Sequence, residues 1–166
     1  MMADRVVALS ELHRMRSRWR TEGKRLVLTN GTFDVLHIGH VRYLEAARAL
    51  GDVLVVGVNS DASVRAYKGP GRPVVPQDER AELVAALRCV DYTTIFDEPT
   101  ATHLVAALEP EIYVKGGDYA AATGKPLPEA EAVRAHGGEV HIIPYLEGHS
   151  ASELIEKMSR RTSRRS

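Results

Sequence analysis

The chain has 166 residues, 44% of them hydrophobic and 27% charged, which is ordinary for a single soluble globular domain. Its 22 lysines and arginines offset 22 acidic residues, so no overall field marks a nucleic-acid or membrane-surface binder. The single cysteine, Cys89, excludes an intrachain disulfide and a multi-cysteine metal site; it ends an apolar helical run and is expected in the core.

The first expected helix covers residues 10–20, with Ser10 as N-cap and Leu12, Met15 and Trp19 on one side. That apolar side leaves a homodimer open. Arg14, Arg16, Arg18 and Arg20 occupy the other face, which reads as solvated, although such a row could also touch phosphate. Strands are expected over residues 25–29, 53–58, 92–96, 112–115 and 140–143, all short and rich in β-branched residues. Helices are expected over residues 39–50, 77–88, 100–108, 129–136 and 151–158. Gly51 reads as a helix stop, and Pro76 opens a helix whose first turn holds Asp78 and Glu79. Apolar strands interleaved with helices imply an α/β fold, a Rossmann-like open parallel sheet with helices on both faces. No secretory signal pattern opens the chain, and a cytoplasmic protein is expected.

Ligands of such a sheet lie beyond the carboxyl ends of the strands, where the strand order reverses. After the first strand comes Asn30-Gly31-Thr32-Phe33-Asp34, then His37-Ile38-Gly39-His40. The stretch has neither the dinucleotide glycine pattern nor a P-loop. It does put two imidazoles on one side of a helix start, with Gly39 between them allowing close approach to the backbone. Free N–H groups at a helix start suit phosphate, and the imidazoles add hydrogen-bond donors. One such histidine is ordinarily a cap or packing residue. Two could bind a metal, yet no third ligand of a zinc site stands nearby, so no metal ligands are assigned. Asp34 reads more readily as a turn partner than as a magnesium ligand. The pair in this setting favours phosphate.

Gly31-Thr32-Phe33-Asp34 with His37-Ile38-Gly39-His40 resembles the signature of the cytidylyltransferase-like nucleotidyltransferases, of H-x-G-H type. Asn59-Ser60-Asp61-Ala62-Ser63, Lys68-Gly69, Arg72-Pro73, Glu79-Arg80, Val90-Asp91 and Val114-Lys115-Gly116-Gly117-Asp118-Tyr119 follow in order. This series is similar to the adenylyltransferases of D-glycero-β-D-manno-heptose 1-phosphate, the ADP-heptose synthase domains. The resemblance covers residues 24–158, the nucleotidyltransferase domain; residues 1–23 read as a helical extension, and 159–166, four arginines among serines, as a disordered basic tail.

What the resemblance implies is AMP transfer from ATP to a sugar 1-phosphate, with pyrophosphate released and Mg²⁺ held mainly by the ATP phosphates. Many relatives carry a sugar kinase domain as well; a separate kinase is expected to supply the acceptor here. The partners are then ATP and a phosphorylated small molecule, without nucleic acid or membrane. Alternatives are a cytidylyltransferase making CDP-glycerol or a similar CDP-alcohol, and a non-catalytic nucleotide-binding subunit. By the same resemblance His37, His40 and Lys68 would be catalytic. Thr32, Phe33, Gly39, Gly116, Gly117, Asp118, Ser150 and Ser152 would bind the nucleotide, and Arg72, Arg80 and Lys115 the acceptor. Gly148-His149-Ser150-Ala151-Ser152 departs from the family's Ser-Thr-Thr run: the middle hydroxyl is lost, and His149 stands where a basic residue is usual.

Overall fold

The computed structural model describes residues 2–117 and 127–163. Five parallel strands form its centre: β1 Leu26–Gly31, β2 Val53–Asn59, β3 Tyr92–Phe96, β4 Ile112–Gly116 and β5 Glu139–Ile143. All five fall where sequence places them. Their order in space is β3-β2-β1-β4-β5, so the chain builds outward from β1 and then returns to its other side. Thr29 faces Val56 on one neighbour and Val114 on the other. The order therefore reverses between β1 and β4, where a parallel sheet opens a crevice at its carboxyl edge.

The two-residue strand period sorts the core into two layers. Leu26, Leu28, Val53, Val55 and Tyr113 face one way, towards Leu12, Trp19, Leu104, Leu108 and Val133. Val27, Leu54, Val56, Val58, Ile112 and Val114 face the other, towards Leu44, Ala47, Ala81 and Val84. Among the described residues the helices are α1 Leu9–Thr21, α2 Ile38–Arg48, α3 Asp61–Lys68, α4 Gln77–Ala85, α5 Thr102–Leu108, α6 Glu129–Ala135 and α7 Ala151–Ser163. None is long and apolar enough to cross a membrane. Cys89 is half-buried against the second layer, and burial pushes its thiol pKa up.

Several sequence expectations need correction. α1 starts after Ala8, so Ser10 lies inside the helix rather than capping it. Its apolar side, Leu12 and Trp19, is buried in the chain's own core, with the Trp19 and Tyr92 rings 5.6 Å apart. Val7 N–H also donates to Thr93 O at 2.9 Å, which ties the N-terminal segment to β3. The stretch from Val6 to Trp19 thus packs against the sheet. Arg16 is not part of a solvated face: it is 2% exposed and donates to Leu108 O at 2.8 Å, Glu109 O at 2.9 Å and Glu111 Oε1 at 2.5 Å. Arg14, Arg18 and Arg20 pair with Glu11, Glu22 and Glu109, which occupies them without any phosphate.

Gly51 is no helix stop, because α2 ends at Arg48 with Ala49 as its C-cap. A Cβ at Gly51 would lie 2.7 Å from Val27 Cγ2 and 2.8 Å from Arg25 O, so the glycine serves close packing. α3 was not anticipated as a helix, although Ser60 caps it by accepting from Ser63 N–H at 3.2 Å. α7 continues to Ser163, into the segment expected to be disordered, with Arg160 paired to Glu156 at 2.5 Å one turn back.

Candidate active site

The carboxyl ends of β1, β2 and β4 open on a cleft of about 880 Å³. Residues 30–40, the end of α3, the end of β4 and residues 145–153 supply most of its walls. Phe33 turns the chain out of β1 with φ +51, a left-handed conformation unusual for a bulky residue. Its buried ring folds back over Gly31, where a Cβ would sit 3.0 Å from Phe33 Cε2, and tilts against His40 at 5.4 Å between centroids. This local bend points the following segment towards the cleft and sets the start of α2.

His37 is the N-cap of α2, and its Nδ1 accepts from Gly39 N–H at 3.0 Å. His40 Nδ1 accepts from His37 N–H at 3.4 Å. With both Nδ1 atoms accepting, each neutral ring carries its proton on Nε2, which is left as a donor. The rings lie 3.9 Å apart, so charging both is unfavourable. Burial, reinforced by His37 and Lys68, pushes the His40 pKa down to about 4. Burial and then His149 lower that of His37. The pair is thus neutral at pH 7, with two preset N–H donors on the cleft wall.

This sets a pH dependence of stability. Folded His40 binds a proton only near pH 4, whereas an unfolded histidine does so near its ordinary 6.5. Between those values the unfolded chain holds more protons, so stability rises with pH there. It is fully present above pH 6.5 and is lost as the pH falls towards 4. Urea unfolding across this window should show the midpoint dropping on acidification, with a smaller drop in His40→Gln. Equal slopes in both proteins would remove His40 as the cause.

Lys68 closes α3 and lines the cleft, its pKa lowered by burial and then by Arg72. Asp34, 2% exposed, ties down the loop that follows. One oxygen accepts from Val74 and Val75 N–H at 2.8 and 2.9 Å, and the other from Arg72 Nε at 2.7 Å. Burial would raise its pKa, but these donors outweigh it and hold the carboxyl below its usual range. Asp34 is therefore a turn partner over long range. Arg72 is held beside it, with Nη2 buried and unpartnered among the described residues, and it does not line the cleft. Arg80 departs from its expected acceptor role. It is fully buried, and its guanidinium donates to Val75 O at 2.8 Å, Thr32 O at 2.5 Å and Asp61 Oδ1 at 2.7 Å. It ties α4 to the β1 turn and to α3, with no face left towards a ligand.

Thr32 reaches the cleft, but Arg80 takes its carbonyl and its hydroxyl pairs with that of Tyr67. Gly39, Gly116 and Lys115 line the same space. A Cβ at Gly116 would fall 2.4 Å from the Tyr145 ring, and one at Gly117 would fall 3.2 Å from Pro144 Cα. The close approach that these glycines permit is therefore made by the chain's own 144–145 segment. Ser150 Oγ caps α7 by accepting from Glu153 N–H at 3.1 Å, and Ser152 joins it on the wall. His149 Nδ1 donates to Glu147 O at 2.8 Å, and its ring centroid is 6.5 Å from that of His37. Asp118 lies outside the described residues. Tyr67, Thr100 and Glu129 also line the cleft, although no sequence motif singled them out.

The chain is similar to curated proteins named "Bifunctional protein HldE". It is 51% identical to that of Trichlorobacter lovleyi over 142 residues, covering 86% of this chain and 28% of the relative. The Koribacter versatilis protein is 50% identical over 153 residues, covering 92% of this chain and 31% of the relative. The chain thus spans under a third of the length of these relatives. Among solved structures, the lipopolysaccharide core biosynthesis protein from Thermoplasma volcanium GSS1 matches with a TM-score of 0.60 at 29% identity. That match covers 76% of this chain and 99% of the other. The family model described as Cytidylyltransferase-like matches residues 28–157. Since the match runs from β1 into α7 and takes in every wall of the cleft, the chain belongs to the cytidylyltransferase-like family.

Proposed function

We propose that this chain is an adenylyltransferase that moves AMP from ATP to D-glycero-β-D-manno-heptose 1-phosphate, giving ADP-heptose and pyrophosphate. The observation that carries the reading is the neutral histidine pair at the start of α2, with both Nε2–H groups preset on a cleft at the strand-order reversal. Near 50% identity to HldE proteins, and a fold shared with a lipopolysaccharide core biosynthesis protein, support a sugar acceptor.

An acceptor phosphate oxygen attacks the α-phosphorus of ATP. The new P–O bond forms as the bond to the β-phosphate's bridging oxygen breaks, and pyrophosphate leaves with that electron pair. Such transfer depends on positioning and on meeting spread charge rather than on a protein nucleophile. His37 and His40 donate to the β- and γ-phosphate oxygens, and those bonds strengthen as charge builds on the leaving group. Lys68 stands between triphosphate and acceptor phosphate, and its ammonium gains from both. Ser150 and Ser152, next to His149, bind the nucleotide, and Lys115 binds the acceptor.

Mg²⁺ would neutralise triphosphate charge. Both Asp34 oxygens are occupied by Arg72 and the 74–75 backbone, which fits an ion held by phosphate oxygens and water. A sugar kinase activity would supply the 1-phosphate.

The test is pyrophosphate release from ATP or CTP with Mg²⁺, against heptose 1-phosphates, other sugar 1-phosphates and glycerol 3-phosphate. Turnover should be greatest with ATP and the heptose 1-phosphate. Turnover confined to CTP would overturn the nucleotide and point to a CDP-alcohol. ATP binding without any turnover would indicate a non-catalytic subunit.

A further inference from the structure

Glu129 is the first residue of α6 and lines the cleft, yet it is only 3% exposed. Its Oε1 accepts from Ala101 N–H at 2.8 Å, at the start of α5. Its Oε2 is buried and has no hydrogen-bond partner among the described residues, and no cation pairs with the carboxylate there. A buried carboxylate oxygen left without a donor is rare in folded proteins, because desolvating it is costly. It suits a group that a ligand completes.

A second residue on the same cleft is prepared in the complementary sense. Tyr113, fully buried, donates its hydroxyl hydrogen to Asn30 Oδ1 at 2.5 Å. The Asn30 amide is thereby oriented, and its Nδ2 donors have no partner among the described residues. The cleft thus offers an acceptor on one element and a donor on another. A hydroxyl group both donates and accepts, so a molecule with several hydroxyls answers both.

We propose that Glu129 Oε2 and Asn30 Nδ2 bind hydroxyl groups of the acceptor's sugar, with Tyr113 as the residue that positions Asn30. This rests on the sugar 1-phosphate reading above and adds which residues recognise the sugar itself. Glu129 accepts from one hydroxyl, and Asn30 donates to another.

Steady-state kinetics with ATP and D-glycero-β-D-manno-heptose 1-phosphate provides the test. Glu129→Gln keeps the size of the side chain but cannot offer acceptors at both oxygen positions. The acceptor KM should rise about tenfold, with the ATP KM and the far-ultraviolet circular dichroism unchanged. Among singly deoxygenated heptose 1-phosphates, one should lose about tenfold in kcat/KM on the wild type and little more on Glu129→Gln. An unchanged acceptor KM, or a rise confined to ATP, would overturn the subsite. If Glu129→Gln does not fold, Tyr113→Phe is judged by the same KM split, with a severalfold rise for the acceptor alone expected. A wild type inactive on this acceptor would instead remove the functional reading, an outcome distinct from an active enzyme whose variants keep the acceptor KM.

Discussion

His40→Ala is expected to lower kcat by about 10²–10³, the usual cost of deleting one donor aimed at developing charge. His40 is suited to this role because its Nδ1 is fixed by His37 N–H and its ring by Phe33, so the Nε2–H is held before substrate arrives. No reorganisation of the donor is then needed as the leaving pyrophosphate gains charge. The acceptor KM should change little, since the lost bond lies on the triphosphate. Stability should fall only by about 1 kcal/mol, the scale of a lost helix-cap interaction. Single-turnover kinetics beside urea unfolding separates the two effects. Normal turnover with a collapse of stability would show that the histidines are packing residues. His37→Ala should behave similarly, and the double variant should lose less than the product of the single losses, because the rings act as a unit.

Arg80→Ala is expected to destabilise the fold by about 3–5 kcal/mol, as breaking a buried ion pair does when its partners stay behind. For a chain of this length that lowers Tm by about 10 °C. The cause is specific: Val75 O, Thr32 O and the partly exposed Asp61 would each lose a donor that the fully buried Arg80 supplies. Activity should fall too, because Thr32 belongs to the turn that leads into the histidine pair, but ligand concentration should not rescue stability fully. Arg14→Ala, at an exposed pair with Glu11, is the control and should stay within about 0.5 kcal/mol of wild type. An Arg80→Ala protein of normal stability with a raised acceptor KM would return Arg80 to acceptor binding.

Arg80 also shows where sequence reasoning stops. Its place next to Glu79, early in a helix, suits an exposed ligand contact equally well. Only the packing of α4 against β2 and β3 puts it under the β1 turn, where its guanidinium has nowhere to go but three protein oxygens. Arg16 follows the same logic: it looks like one of four alternating arginines, yet α1 docks with that residue over Leu108 and Glu111. A side chain's periodicity tells which face it shares, and the depth of that face depends on the neighbouring element. α3 carries too short an apolar pattern in its eight residues, DASVRAYK, for periodicity to mark it, while the Ser60 cap that starts it is a local signal.

What the sequence alone determined were the five strands, their parallel α/β arrangement and the motif at the end of β1. These depend on local backbone preference and on an apolar period of two, both written within a few neighbouring residues. Pairing of His37 with His40 was equally legible, since a spacing of three sets two side chains on one side of a helix start. Tertiary structure alone decided which polar groups are consumed by the fold and which remain for a ligand. Arg80 and Asp34 spend their hydrogen bonds on the protein, whereas Glu129 Oε2 keeps its acceptor for the cleft. Residues up to 48 positions apart in the chain supply the partners of Arg80 and Asp34, and the packing of α3 and α4 beside the β1 turn brings them together.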